Sequence, residues 1–252
     1  MRNNSFLGGT TVSIKIRMSP QNLITDLRKL SDPVRAEHSK RFFKTGPGEY
    51  GAGDKFYGLS TPQSQELVKK YQDLSLTDID TLLVSEYHEQ RLIALLILVR
   101  RFAKADYIQK KVIYDFYLAH TSRINNWDLV DVTTPKIVGE YLLDKDWSVL
   151  KKLAKSSSLW ERRIAIMATF AFIYKNETKP TLTMSELLLH DDQDLIHKAV
   201  GWMLREVGKR CNQDIEEKFL KKHYHTMPRT MLRYAIERFP ESLRVKYLQG
   251  QI

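Results

Sequence analysis

Residues 92–99 read LIALLILV, and the apolar residues of this stretch recur at helical intervals. Leu92, Leu95 and Leu96 fall three or four positions apart, the spacing that places side chains on one face of an α-helix. The same interval returns in a later segment, at Ile137, Val138, Tyr141 and Leu142. The run is far shorter than the roughly 20 residues that a membrane-spanning helix needs. The pattern therefore predicts a buried helix in a chain without a membrane span.

Helical spacing extends along nearly the whole chain after Pro20, and few segments with a period of two compete with it. Proline marks helix starts at Pro62 and Pro228, and Ser158 has the spacing of a capping box with Glu161. The pattern predicts helices over residues 21–30, 33–43, 61–72, 76–84, 87–103, 105–120, 127–142, 146–155, 159–175, 181–189, 193–210, 214–222, 228–238 and 241–248.

Long helices recur at intervals of about 35 to 40 residues, each beside a shorter one, which is the spacing of stacked helical pairs. The predicted fold is all-α, a curved α-α superhelix, or solenoid, of HEAT-like helical repeats. Such stacks offer an extended concave surface for a rod-like ligand, and duplex DNA is such a rod. The alternative is a globular helix bundle without a groove.

The domain organisation follows from the same pattern. We expect residues 1–20 to form a flexible leader, because they lack the apolar stretch and the small-residue cleavage pattern of a secretion signal. Residues 21–252 are expected to form a single domain with a glycine-rich loop at residues 45–58. Cys211 is the only cysteine, which excludes an internal disulfide and a thiolate metal cluster. The expected location is the cytoplasm, at the bacterial nucleoid when the protein is bound to DNA.

The charge balance favours polyanionic partners. Lys and Arg number 40 against 30 Asp and Glu, which gives a formal net charge of +10 and a pI near 9.5. Nucleic acid is the leading candidate for the partner. The histidines show no HExxH motif, and neither a dinucleotide motif nor a Ser/His/Asp set is present. We therefore expect no metal, no nucleotide and no other cofactor.

Three tryptophans are each followed, three or four residues later, by a charged residue. The pairs are Trp127 with Asp131, Trp160 with Arg163, and Trp202 with Arg205. Residues at this spacing share a helix face, so each pair can present an indole and a charge to one partner. In a basic chain the pairs favour a cationic, aromatic cleft for DNA. The alternative is three core tryptophans beside solvated charges.

The segment TGPGEYGAGD, residues 45–54, carries four glycines and one proline, which predicts a loop. It has no GxxxxGK[ST] motif and no preceding strand, so a nucleotide-binding P-loop is not indicated. We expect the loop to let Lys44, Lys55 and Tyr57 approach a nucleic-acid backbone. A plain surface connection is the alternative.

Three segments carry a resemblance to a known family: INNWDLVD (124–131), LWERRIAI (159–166) and KAVGWMLRE (198–206). In this order and separation the chain resembles the AlkD-like DNA alkylation repair family, which are HEAT-repeat DNA glycosylases, over residues 33–240. Members of that family remove positively charged N3- and N7-alkylated purines from DNA. The family's catalytic residues correspond here to Asp131, Trp127, Trp202 and Arg163.

The resemblance implies a role for each of these four residues. Asp131 would stabilise the positive charge that develops on the deoxyribose and orient the attacking water. Trp127 and Trp202 would pack against the sugar and backbone at the lesion, while Arg163 would bind a phosphate. A cationic purine needs no protonation to leave, and the resemblance implies that the base is not flipped into a deep pocket.

Further basic residues are expected to contact DNA phosphates, namely Arg123, Lys136, Lys198, Arg205, Lys44 and Lys55. The leading hypothesis is a base-excision-repair DNA glycosylase of the 3-methyladenine/7-methylguanine type, acting as a monomer on duplex DNA that contains alkylated bases. The chain differs from the best-studied branch at Phe42, where that branch has a tyrosine, and in its longer glycine-rich loop. Both features motivate a second hypothesis, a noncatalytic module that binds damaged or branched DNA. A HEAT-like protein-interaction scaffold is the third.

Overall fold

The computed structural model describes residues 18–252, and the regular structure of this part is helical apart from one isolated bridge between Lys55 and Tyr87. The helices are α1 (Pro20–Lys29), α2 (Pro33–Phe42), α3 (Thr61–Lys70), α4 (Leu76–Leu83), α5 (His88–Phe102), α6 (Tyr107–Ala119), α7 (Trp127–Thr134), α8 (Glu140–Leu142), α9 (Ser148–Ala154), α10 (Leu159–Tyr174), α11 (Lys179–Leu187), α12 (Asp194–Arg210), α13 (Gln213–His223), α14 (Arg229–Ala235) and α15 (Glu241–Gln249). The all-α prediction is confirmed. The predicted leader lies outside the described residues except for its last three positions.

The helices form a repeating array of neighbours. In one set, α3, α5, α7, α10, α12 and α14 pack side by side in this order, and we call them the inner helices. A second set, comprising α4, α6, α9, α11 and α13, packs against the first. One cluster of buried apolar side chains runs from Leu23 in α1 to Tyr247 in α15. No helix within residues 18–252 combines the length and apolar character that crossing a lipid bilayer requires.

Serine residues start several helices by satisfying the free backbone N–H groups of the first turn. Ser19, Ser60 and Ser75 each accept the N–H of the third helical residue, whose side chain accepts the serine N–H in return. Pro62 lies in the first turn of α3, as predicted, whereas Pro228 is the residue that precedes α14.

Only half of the predicted capping box forms at the start of α10. The Ser158 hydroxyl accepts the backbone N–H of Glu161, as expected. The Glu161 carboxylate, however, accepts a hydrogen bond from the Thr121 hydroxyl at 2.7 Å. It therefore joins α10 to the preceding repeat instead of closing its own helix end.

The single helix predicted over residues 127–142 is interrupted in the structure. Residues Pro135–Gly139 form a π-helical segment between α7 and α8. Pro135 has no N–H, so the backbone carbonyl of Asp131, four residues earlier, has no α-helical donor. A wider turn accommodates this gap, and such turns occur frequently beside functional sites.

Gly139, at the end of the π-helical segment, lets α10 approach closely. A Cβ atom at this position would lie 2.4 Å from the backbone oxygen of Ala168 and 2.8 Å from the Cβ of Ala171. Both contacts are shorter than van der Waals distances, and the nearer one involves backbone that cannot rotate away. The glycine therefore sets the spacing between this segment and α10.

We expect Gly139→Ala to lower the free energy of unfolding by about 1 to 3 kcal/mol, because the added methyl group overpacks the contact with α10. Alanine normally stabilises a helical position relative to glycine, so the expected sign is the reverse of the intrinsic preference. Urea unfolding followed by circular dichroism measures the difference. A variant as stable as the wild type would show that α10 is not held at this distance.

Candidate active site

A buried ion pair joins the second turns of α7 and α10. Arg163 donates from Nε and Nη2 to the two carboxylate oxygens of Asp131, over 2.8 and 2.7 Å. Its remaining nitrogen, Nη1, donates to the backbone oxygen of Leu195 at the start of α12. The side chains of Arg163 and Asp131 are only 6% and 11% exposed. One guanidinium therefore ties three successive inner helices together.

The electrostatic state of Asp131 depends on this arrangement. Burial raises the pKa of the Asp131 carboxyl above its usual value, and the guanidinium of Arg163 opposes that shift. The nearby carboxylate of Asp128 acts in the same direction as burial. Arg163 is thus the group that favours the charged form of a carboxylate held largely away from water.

Arg163 does not have the position that the phosphate-binding role requires. That role needs the planar fork to face DNA, but Nε and Nη2 are bound to Asp131 and Nη1 is bound to the Leu195 carbonyl. A buried carboxylate needs a cationic partner more strongly than a solvated phosphate does, because its desolvation is otherwise uncompensated. In this structure Arg163 orients Asp131.

Trp127 is the first residue of α7 and lies one helical turn before Asp131. Phe43 stacks on its indole at a centroid distance of 5.4 Å, and Phe42 meets it edge-on at 5.6 Å. Because Phe43 covers one face, a ligand can reach Trp127 only from the other face or from its edge. Phe42, which distinguishes this chain from the best-studied branch, therefore supports the indole.

The tryptophans of the other two pairs lie on α10 and α12, and both are half-buried. Trp202 follows Leu195 by two helical turns, which is about 10 Å along α12, and its ring partner is Phe170 at 6.0 Å. Trp160 packs partly against the core and also meets the ring of Tyr50 edge-on at 6.0 Å. The structure therefore brings Trp127, Asp131 and Arg163 together and leaves Trp202 further along α12.

A second buried charge network lies beside the first. His88, at the start of α5, is 2.7 Å from Asp128 through Nε2 and 3.3 Å from Asp54 through Nδ1. Arg91 donates to both oxygens of Asp54, at 2.7 and 2.8 Å. Burial by itself would lower the pKa of His88, but the carboxylates of Asp128 and Asp54 reverse this effect and raise it to about 9. His88 is therefore an imidazolium ion at neutral pH.

The first turn of α5 fixes the end of the glycine-rich loop. Besides the His88 and Arg91 contacts to Asp54, the buried carboxylate of Glu89 accepts the backbone N–H groups of Tyr57 and Gly58 at 2.8 to 3.1 Å. Tyr57 was expected to approach a nucleic-acid backbone. Its ring is buried instead, so that prediction is wrong. The loop is thus anchored by four consecutive residues, His88 to Arg91, of which Gln90 donates to the Tyr57 hydroxyl.

The six cations that were expected to contact DNA fall into two groups. Among residues 18–252, the exposed side chains of Lys44, Arg123 and Lys136 form no ion pair. The others are paired: Lys55 with Glu86, Lys198 with Asp194, and Arg205 with Glu237. Exposed pairs such as those of Lys55 and Lys198 contribute little stability, so a phosphate can replace the carboxylate at low cost.

An open cavity of about 460 Å³ lies beside the His88 charge network. Phe43, His88, Asp128 and Lys136 contribute to its wall. Within residues 18–252, no group of three His, Cys, Asp or Glu side chains is arranged as a metal site.

The residues of the site that were missed from the sequence include His88 and Tyr50. His88 was considered only as a metal ligand, and its carboxylate partners lie 34 and 40 positions away. Tyr50 carried one usable signal, since it is the aromatic residue at the centre of the glycine-rich loop. Such a residue in a loop flanked by lysines is a candidate for ligand contact.

Comparisons with known proteins identify the family of the chain. A family model described as DNA alkylation repair enzyme matches residues 23–239, which include every residue of the site. The chain belongs to the DNA alkylation repair enzyme family. No curated protein matches the chain.

A solved structure described as a predicted DNA alkylation repair enzyme from Enterococcus faecalis has a similar fold. The TM-score is 0.66 and the sequence identity is 16%, over 84% of this chain and 97% of that chain. At this identity the likeness concerns the fold, an all-α helical repeat array. Membership of the DNA alkylation repair enzyme family supports a role in alkylation repair.

We expect Arg163→Met to lower the free energy of unfolding by about 3 to 5 kcal/mol, because it leaves the Asp131 carboxylate buried without a cation. The double variant Asp131→Leu/Arg163→Met removes both charges and should recover most of this loss. Urea unfolding of the wild type, both single variants and the double variant measures the coupling. Additive losses would contradict the closed, buried pair.

We expect the His88 network to make stability depend on pH. A folded-state pKa of about 9, above the usual value of His, contributes stability that is fully present below about pH 6.5 and is lost as the pH rises through 9. The loss should be on the order of 3 kcal/mol. His88→Gln removes the titrating group, so urea unfolding at pH 6.5, 8 and 9.5 should show a flatter profile. Parallel profiles would refute the assignment.

Proposed function

We propose that the protein is a DNA glycosylase that hydrolyses the N-glycosidic bond of cationic N3- and N7-alkylated purines in duplex DNA. The observation that carries the proposal is the Asp131 carboxylate, held by Arg163 one helical turn from the Trp127 indole in a member of the DNA alkylation repair enzyme family. The lesion range, with 3-methyladenine and 7-methylguanine as the expected bases, belongs to this proposal.

The chemistry asks for negative charge near the sugar and not for an acid. An alkylated purine already carries a positive charge and leaves as a neutral base with the electrons of the glycosidic bond. Positive charge then develops on the deoxyribose, and a fixed carboxylate stabilises it without reorganisation. Asp131 suits this role because Arg163 holds both of its oxygens in place while leaving part of the side chain accessible. A carboxylate oxygen has further lone pairs with which to orient the attacking water.

The indole rings would contribute selectivity. Trp127 has one face on Phe43, and its opposite face is proposed to pack against the sugar and backbone of the lesion nucleotide. The aromatic face attracts cations by about 0.5 to 2 kcal/mol, which favours a positively charged nucleotide over a neutral one. Trp202, further along α12, is proposed to pack against the backbone of the same duplex.

We expect Asp131→Asn to reduce the release of methylated purines by about 10²- to 10³-fold, the usual effect of removing one preorganised electrostatic contact. Asparagine keeps one hydrogen-bond acceptor for Arg163 but leaves the guanidinium without its counter-charge, so circular dichroism at the assay temperature must show that the variant is folded. The assay uses duplex DNA treated with a methylating agent, with Asp115→Asn on α6, a helix of the second set, as the matched control. Unchanged release by Asp131→Asn would sink the assigned role.

A noncatalytic module that binds damaged or branched DNA is the second candidate. It is favoured by the closed Asp131–Arg163 pair and by the Phe43 ring that covers one face of Trp127. Both features reduce what the site exposes to a reacting sugar. Wild-type protein that binds duplex DNA with salt-dependent affinity but releases no methylated base would establish this alternative.

A further inference from the structure

The glycine-rich loop has a fixed internal structure. The backbone N–H of Gly51 donates to the carbonyl of Lys44 at 3.0 Å, and the N–H of Gly46 donates to the Glu49 carboxylate at 2.8 Å. A Cβ at Gly51 would lie 2.4 Å from the backbone oxygen of Phe43, so only glycine permits this closure. Together with the anchoring of Asp54 by α5, these bonds fix the position of the residue at the tip, Tyr50.

Tyr50 lies where three inner helices begin. Its ring meets Trp160 of α10 edge-on at 6.0 Å with an interplanar angle of 75°. Burial raises the pKa of its phenol, while the indole of Trp127 at the start of α7 and the ammonium group of Lys198 on α12 lie close enough to act against that shift. A duplex that crosses the starts of these helices must therefore meet Tyr50.

The neighbouring indole of Trp127 limits what Tyr50 can offer a ligand. An indole N–H only donates, so towards Trp127 the phenolic oxygen of Tyr50 can act only as an acceptor. Among the described residues no carbonyl or carboxylate accepts the Tyr50 proton. The phenol is half-buried, and burial raises its pKa above the usual value, so it keeps this proton at neutral pH. A ligand that fits must supply an acceptor.

Lys198 adds positive charge at the same place. It pairs with Asp194 at 2.7 Å, but the two side chains are 39% and 58% exposed, so the pair is weak and can exchange for another anion. A neutral O–H donor beside an exchangeable ammonium group is a suitable set for one backbone phosphate, whose free oxygens only accept. Arg163 is unavailable for this contact because Asp131 occupies it.

We propose that Tyr50 and Lys198 together bind one backbone phosphate of duplex DNA at the candidate active site, with Tyr50 as the donor and Lys198 as the charge. The inference rests on the proposed DNA substrate but not on base release. It assigns the glycine-rich loop to the DNA-binding surface. The phosphate contact holds the duplex in register over Asp131.

The test measures affinity for a duplex with one tetrahydrofuran abasic analogue, which cannot be cleaved by a glycosylase. Tyr50→Phe keeps the ring against Trp160 and should weaken binding about fivefold without changing the dependence of log affinity on log salt. Lys198→Met should weaken binding and lower that salt slope by about 1. Tyr174→Phe, at the exposed far end of α10, is the matched control and should bind like the wild type.

Methylphosphonate substitution identifies the phosphate. One phosphate at a time, over three positions on each side of the analogue, loses its charge and an acceptor oxygen. At the one position whose phosphate contacts Tyr50 and Lys198, we expect the methylphosphonate duplex to bind Tyr50→Phe and Lys198→Met as tightly as it binds the wild type. Losses that add at every position would overturn the proposal, and so would tighter binding by Tyr50→Phe, which would make the tyrosine an obstruction.

The two proposals fail in distinguishable ways. Coupling at one phosphate without release of methylated bases by the wild type would retain the Tyr50 contact and refute the glycosylase. Base release without coupling at any phosphate would do the reverse. Wild-type protein that does not bind the duplex would refute both.

Discussion

The buried carboxylate of Asp131 is the charge that the inner helices must be arranged to satisfy. A carboxylate this far from water is costly unless a cation and further hydrogen bonds meet it. Arg163 on α10 donates two hydrogen bonds to this carboxylate. Its third nitrogen donates to the backbone carbonyl of Leu195 on α12. The relative positions of α7, α10 and α12 are therefore linked to one ion pair, and the tryptophans on these helices take their places from it.

A neighbouring network joins the N-terminal part of the chain to the same helices. His88 lies between the carboxylates of Asp54 and Asp128. Asp54 belongs to the glycine-rich loop, and Asp128 lies one turn before Asp131 on α7. The Phe43 ring packs against both His88 and Trp127, at 4.8 and 5.4 Å. Loop, α5 and α7 consequently share one buried, charged and aromatic contact region. A substitution in the loop is therefore expected to shift the position of Trp127, even though the loop does not contact Asp131.

Most of the helices were predictable because their signals are local. Ser60 and its third helical neighbour cap α3 within four residues of sequence, and apolar spacing reports the buried face directly. The π-helical segment at Pro135 was missed because proline is also compatible with a bent α-helix. The four catalytic candidates were predicted from a family resemblance, which implied that Arg163 faces a phosphate. The structure pairs Arg163 with Asp131, 32 positions away, a contact for which the sequence carries no local signal. The position of Tyr50 depends on closure of a loop, for which periodicity carries no information.

The π-helical segment separates two roles, presenting side chains to the site and packing against α6, that one continuous helix would have to combine. Widening one turn by a residue rotates everything after it by about 100° relative to everything before it. Trp127 and Asp131, ahead of the segment, keep the phase that faces the site, while Tyr141, behind it, takes a phase in which it stacks on Tyr114 at 4.1 Å. In evolutionary terms, the extra residue uncouples the two halves. Substitutions that repack the rear half can accumulate without turning the carboxylate away from the site.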